Sequence, residues 1–177
     1  LKRAVADHTI DVLSTLKAEG VTPEWIQVGN ETRSGMLWPV GRFHDEKGEI
    51  PGGWANYAQL TTAGYDACKA IFPDAMVIVH IDNAYMDNNW FYRTLLQNGG
   101  KFDMIGLSHY PMMKQWSGKD WLEMNQLAAQ NIIQLHDEFQ CPVMVVEIGT
   151  YADALDAVDV IADFRRRVDT LEYMKGI

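Results

Sequence analysis

Trp25-Ile26-Gln27-Val28-Gly29-Asn30-Glu31 is a compact apolar run that ends on a carboxylate, and Pro142-Val143-Met144-Val145-Val146-Glu147 repeats the pattern. Short runs rich in Val and Ile and flanked by turn residues read as strands buried on both faces. A glutamate at the tip of such a strand is costly to desolvate unless something pairs it or uses it. Two of them at matching tips suggest a working pair rather than two accidents.

Outward from these runs, the chain alternates helix and strand. Residues 4–19 read as a helix with Val5, Val12, Leu13 and Leu16 on one face, ended by Gly20. Strand 24–29 follows, then a loop with Arg33, Trp38, Pro39 and Arg42, and a polar, exposed excursion from His44 to Gly53. Helix 54–71 carries Tyr57, Leu60, Gly64, Cys68 and Ile71 on one stripe and stops before Pro73. Strand 76–81, helix 88–98, strand 102–107, helix 119–139 and strand 142–147 come next, and a last helix runs to about Met174. Short apolar strands separated by helices imply a parallel sheet with right-handed crossovers. The fold class is therefore α/β, either a doubly wound sheet or part of a (β/α)8 barrel.

Topology favours the barrel if the glutamates cooperate. Glu31 and Glu147 end the first and last of the four strands. In a flat sheet they would lie about 14 Å apart, from a strand spacing of roughly 4.8 Å. In a closed barrel, strands three apart face one another across the mouth. A complete barrel usually needs about 250 residues, and this chain has 177. Lys175-Gly176-Ile177 looks like the first step into a further strand. Residues 1–177 are read as one partial domain, an internal segment of a larger one.

The composition is that of an ordinary globular protein, 47% hydrophobic and 22% charged. A formal net charge of -9 argues against nucleic acid or an anionic membrane surface as partner. It suits a neutral ligand such as a sugar polymer, as do six Trp and seven Tyr, although most aromatics fill cores. Cys68 and Cys141 lack metal-ligand spacing and read as buried free thiols. There is neither a membrane-spanning run nor a signal peptide, and Leu1 opens inside a helical pattern.

The chemistry asks different things of the two carboxyls. A general acid must be partly desolvated so that it holds a proton near neutral pH. A nucleophile must stay ionised, held by donors such as Tyr or Arg. Asn30 could bond a sugar hydroxyl beside the broken bond. Glu31 could instead be a helix cap or pair with Arg33 or Arg42, and Glu147 could be a rim ion pair.

Here a family resemblance enters. Trp25 through Thr32, followed by Gly35-Met36-Leu37-Trp38-Pro39 and Gly41-Arg42, resembles glycoside hydrolase family 53, the arabinogalactan endo-β-1,4-galactanases. Val77-Ile78-Val79-His80, Asp103 through Pro111 and Pro142 through Glu147 resemble later segments of the same family, in the right order across essentially the whole chain. The resemblance implies a (β/α)8 TIM barrel covered from roughly helix 3 through helix 7, with strands 1–3 and 8 not in this sequence. It implies Glu31 as acid/base on barrel strand 4 and Glu147 as nucleophile on strand 7. It also implies a retaining double displacement on β-1,4-galactan, a polysaccharide partner, no cofactor, and a secreted, periplasmic or cell-surface location.

Position nominates further substrate contacts. His80 could donate to Glu31 or to a sugar hydroxyl. One of His109 and Tyr110 should reach Glu147, although family members often carry an aromatic where His109 stands. Trp38 and Trp116 could stack on sugar rings or simply pack loops, and Asp82 and Asn83 could line a subsite or form a turn. Some bacterial relatives bind calcium after barrel strand 7. Here Asp153 and Asp156 supply too few oxygens for a hard cation, and no metal is expected. Other readings are a relative acting on mannan, xylan or glucan, a non-catalytic carbohydrate-binding protein, and an unrelated doubly wound domain. The last lacks a Gly-rich phosphate loop after any strand.

Overall fold

The computed structural model describes residues 1–112, 117–151 and 156–175. Helix α1 (Lys2–Ala18) leads into β1 (Trp25–Gln27). Two short hairpins follow, β2 (Gly35–Met36) with β3 (Gly41–Arg42) and β4 (His44–Asp45) with β5 (Gly48–Glu49). Then come α2 (Gly53–Ile71), β6 (Met76–Ile81), α3 (Asn89–Gln97), β7 (Met104–His109), α4 (Trp121–Phe139), β8 (Val143–Ile148) and α5 (Ala157–Val168). Strand β1 stands at the sheet's end beside β6, and β8 stands beside β7. No described helix is long and apolar enough to cross a membrane. The chain divides into two compact units, Leu1–His80 with Phe91–Met104, and Ile81–Trp90 with Ile105–Ile177.

In the first unit, β1 and β6 pair in parallel, with Trp25 opposite Met76 and Gln27 opposite Ile78. Leu13 from α1, Cys68 from α2, and Val28, Phe72, Ala75 and Val77 form a core between helices and sheet. Helix α2 lies close on the strand: a Cβ at Gly64 would fall 2.6 Å from Val28 Cγ1. The excursion is anchored by Phe43, which stacks on Trp54 at 3.7 Å and packs against Tyr57 and Phe91. Two expectations are corrected. The regular part of β1 is only three residues long, and Trp25 is 42% exposed rather than buried, because β1 ends the sheet order. In α1, Leu13 is buried but Val12 faces solvent.

Asp103 ties the unit together ahead of β7. Its carboxylate accepts from Lys69 Nζ at 2.7 Å, the Val77 amide at 2.9 Å and the Tyr65 hydroxyl at 2.9 Å. Burial alone would raise its pKa, but these donors together outweigh burial and hold the carboxyl below the usual range. A depressed folded pKa adds stability that is present above the unfolded value and is lost as pH falls through the folded value. Asp103→Asn in the full-length protein is therefore expected to lower the melting temperature at pH 7. That deficit should narrow as pH falls below the ordinary Asp value of about 3.9, which melting curves at several pH values check.

In the second unit, β7 and β8 pair in parallel, with Ser108 opposite Glu147 after an irregularity between Leu107 and Ser108. Met124, Ala128, Ile132 and Leu135 of α4 are fully buried, as are Val160 and Phe164 of α5. Asp120 caps α4 by accepting from the Glu123 amide at 2.8 Å. The loop after β6 is strapped down by the Asn131 side chain, which donates to the Ala84 carbonyl at 2.8 Å, and by Ala84 N–H to Ser108 O at 2.9 Å. The last helix stops at Val168, short of the expected Met174. Met174 instead forms a parallel bridge to Val143, with Val143 N–H on Tyr173 O and Lys175 N–H on Val143 O, both at 3.2 Å. Extended pairing thus begins before Gly176-Ile177, which lie outside the described residues.

Candidate active site

Glu31 stands just past β1 with φ 46°, a left-handed backbone that few non-glycine residues adopt. The turn is set up by Gly29 (φ 83°), where a Cβ would come within 2.8 Å of Thr32 Cγ2. It is held from β6 through His80. Thr32 donates both its amide (2.9 Å) and its hydroxyl (3.0 Å) to the His80 carbonyl. The Thr32 hydroxyl proton is thereby used, so the buried Tyr57 phenol, 2.6 Å away, is the donor in that contact. Burial pushes the Tyr57 pKa far above its ordinary value, with the Thr32 hydrogen bond opposing. His80 is fully buried, and its Nδ1 accepts from the Glu31 backbone amide at 3.4 Å. This bond fixes the peptide beneath the carboxylate of Glu31, an exposed residue. Asn30 Oδ1 accepts from Gln27 Nε2 at 3.1 Å.

Glu147 is half-buried near the C-terminal end of β8. The Tyr110 phenol donates to its Oε2 at 2.8 Å. This bond fixes the direction of the carboxylate. The Tyr110 ring lies over the backbone of Gly149, where a Cβ would meet Tyr110 Cε1 at 2.6 Å. Of the two candidate donors, Tyr110 is the one that reaches Glu147. Successive residues on a strand point to opposite faces, and His109 is fully buried against Phe164, its ring 4.5 Å away, with Nε2 2.8 Å from Asn125 Oδ1. It is a core residue, not a sugar contact. Burial lowers its pKa to about 4, the Asn125 hydrogen bond working the other way.

Asp82 and Asn83 are half-buried after β6, and Asn83 Nδ2 donates to Asp82 Oδ2 at 2.8 Å. Asn83 also has a left-handed backbone, φ 55°, and its carbonyl accepts from Asn88 Nδ2 at 3.2 Å. Trp38 is 55% exposed between β2 and β3, preceding a cis peptide bond to Pro39. The Arg42 guanidinium lies 4.0 Å from its ring centroid while Arg42 Nε donates to His44 O at 2.9 Å, so Arg42 is engaged here. Trp116 and Asp153 lie outside the described residues. Among the described residues of either unit taken by itself, no three His, Cys, Asp or Glu side chains converge as ligands for a metal ion. Neither Cys68 nor Cys141 forms a disulfide; the first is buried and burial raises its pKa to about 11, while the second is only half-buried.

Sequence reasoning missed Thr32, Tyr57, Asn125 and Gly149. For Asn125 a signal was present: it is a polar residue on the buried stripe of α4, between Met124 and Ala128.

A family model described as glycosyl hydrolase family 53 matches residues 1–174. The chain is 35% identical over 149 residues to an "Uncharacterized protein in bgaB 5'region" of Niallia circulans, covering 83% of this chain and 38% of that protein. It is 33% identical over 113 residues to the arabinogalactan endo-beta-1,4-galactanase of Thermothelomyces thermophilus, covering 59% of this chain and 32% of that enzyme. Among solved structures, a fungal beta-1,4-galactanase superposes with a TM-score of 0.78 at 21% identity, over 98% of this chain and 56% of that one. A family 53 catalytic domain from Ignisphaera aggregans gives 0.71 at 22% identity, over 92% and 44%. These likenesses show the fold, a (β/α)8 barrel of which this chain is a part. The chain spans about a third of the curated relatives' length.

Proposed function

The chain belongs to glycosyl hydrolase family 53, and from that premise we propose that it is the segment of an endo-β-1,4-galactanase that carries both catalytic carboxylates. Residues 1–177 are one partial catalytic domain. The observation that carries the reading is the Tyr110 phenol on Glu147 Oε2 at 2.8 Å, a donor dedicated to a strand-tip glutamate.

Glu147 attacks the anomeric carbon while Glu31 protonates the departing oxygen. Glu31 then takes a proton from the incoming water, which releases the sugar with its configuration retained. The Tyr110 phenol fixes the direction of the Glu147 carboxylate for that attack. The clamp from His80 and Thr32 holds Glu31 on its left-handed turn, so that its carboxyl meets the glycosidic oxygen without reorganising. A general acid works best when desolvated, and in this reading the flanking barrel strands of the full-length protein and the bound substrate cover the exposed Glu31. Asn30, Asp82, Asn83 and the Trp38 face not taken by Arg42 contact sugar hydroxyls and rings. A polymer substrate suits a secreted, periplasmic or cell-surface location.

Galactan is supported by the likeness to the Thermothelomyces galactanase. The test is reducing-end release by the full-length protein on a panel of β-1,4-galactan, mannan, xylan and β-glucan. Turnover of galactan at least about 100-fold above the others is expected, since a site built to bond a hydroxyl rejects analogues that lack it in that position. Turnover of another polymer, or binding without turnover, contradicts the assignment.

A further inference from the structure

We propose that His109 and Asn125 form a positioning device for Tyr110, and through Tyr110 for Glu147; this rests on the reading of Glu147 as nucleophile. Asn125 is fully buried on an otherwise apolar face of α4. Its Nδ2 donates to Val160 O at 2.9 Å and to Asp163 Oδ2 at 3.0 Å. Both amide hydrogens are therefore used, and the atom facing His109 is the acceptor Oδ1. His109 is the donor, with its proton on Nε2. Asp163 is in turn gripped by Arg167, with Nε at 2.7 Å and Nη2 at 3.2 Å. The Arg167 grip chiefly holds the Asp163 carboxyl below the usual range, so it stays an acceptor.

This chain of bonds ties the last residue of β7 to both α4 and α5. Tyr110 is the next residue. The His109 carbonyl also accepts from the Gly149 amide at 3.2 Å, beyond the tip of β8. The Tyr110 ring is pressed on that same Gly149. His109 is thus fixed by side chain and by backbone, and the strand that would let the phenol drift from Glu147 cannot turn.

Packing alone does not call for a histidine here. A phenyl ring would fill the space beside Phe164 without burying two ring nitrogens. Among the described residues His109 Nδ1 has no partner, a cost that an apolar residue avoids. What the imidazole adds is one directional bond that selects one rotamer at the end of β7.

The experiment uses the full-length protein and measures kcat and KM on galactan and the melting temperature. His109→Phe keeps the ring against Phe164 and removes the donor. It is expected to lower kcat about tenfold with KM within about twofold, as misplacing a catalytic group does. His109→Gln, whose amide can donate to Asn125, should restore most of kcat. The inference is overturned if His109→Phe keeps the wild-type kcat while Tyr110→Phe lowers it. It is equally overturned if His109→Gln, folded by its melting curve, is no better than His109→Phe. Failure of the nucleophile reading itself has a different sign, turnover by Glu147→Gln.

Discussion

Glu147→Gln in the full-length protein is expected to abolish galactan hydrolysis, with kcat reduced on the order of 10⁴-fold and KM nearly unchanged. The substituted amide keeps size and shape, and its oxygen can still accept from the Tyr110 phenol now 2.8 Å from Oε2. Folding should therefore survive, and a melting curve close to wild type is the control. What is lost is the negative charge and lone pair that form the glycosyl bond. Among the described residues of the second unit, no neighbouring group substitutes for it. Tyr110 is a donor to the carboxylate, and His109 is buried against Phe164 with its proton directed at Asn125. Steady-state kinetics on galactan, with active-site integrity checked by oligosaccharide binding, measures this.

Glu31→Gln should cost on the order of 10³-fold on galactan, the upper range for removing a general acid. The size of the loss depends on the leaving group. A sugar hydroxyl needs a proton to depart, whereas an acidic phenol does not. An activated aryl galactooligosaccharide should therefore still form the glycosyl enzyme at near wild-type rate and stall at hydrolysis, for want of a base. Azide, which needs no deprotonation, should then restore turnover and give a β-galactosyl azide. Equal losses on both substrates, with no response to azide, would mean that Glu31 only binds or supports the fold. The clamp makes the second outcome testable as well. Thr32 and Tyr57 hold the backbone of this turn, not its carboxylate, so the substitution leaves the clamp intact.

Much of this was legible in the sequence because it depends on alternation and on polar residues at places where polarity is costly. The strands at 76–81 and 142–147 were apolar enough to be placed within a residue of Met76–Ile81 and Val143–Ile148. The third strand, expected at 102–107, runs at Met104–His109, because Phe102 starts the apolar pattern before the regular ladder begins. The strand near 24–29 was overlong for the opposite reason. Val28 continues the pairing to Ile78, but the turn at Gly29 breaks regular geometry where Glu31 must be presented.

Tertiary partners were not legible. Nothing local shows that His109 faces Asn125 while Tyr110 reaches Glu147, since that requires knowing which face of β7 meets the helices. Nor does Thr32 show its clamp to His80 and Tyr57, partners 48 and 25 residues away. Leu171 and Met174 kept helical spacing beyond Val168 and concealed the extended bridge to Val143. The substrate is recorded in none of these features; it came from the motif around Glu31 and is supported by relatives.

The central claim is that Glu31 and Glu147 are one catalytic pair. A crystal structure of the full-length protein tests it through the separation of the two carboxyl groups. About 5–5.5 Å across a closed barrel mouth is the result expected of a retaining pair, and a separation of about 6.5 Å or more would contradict it.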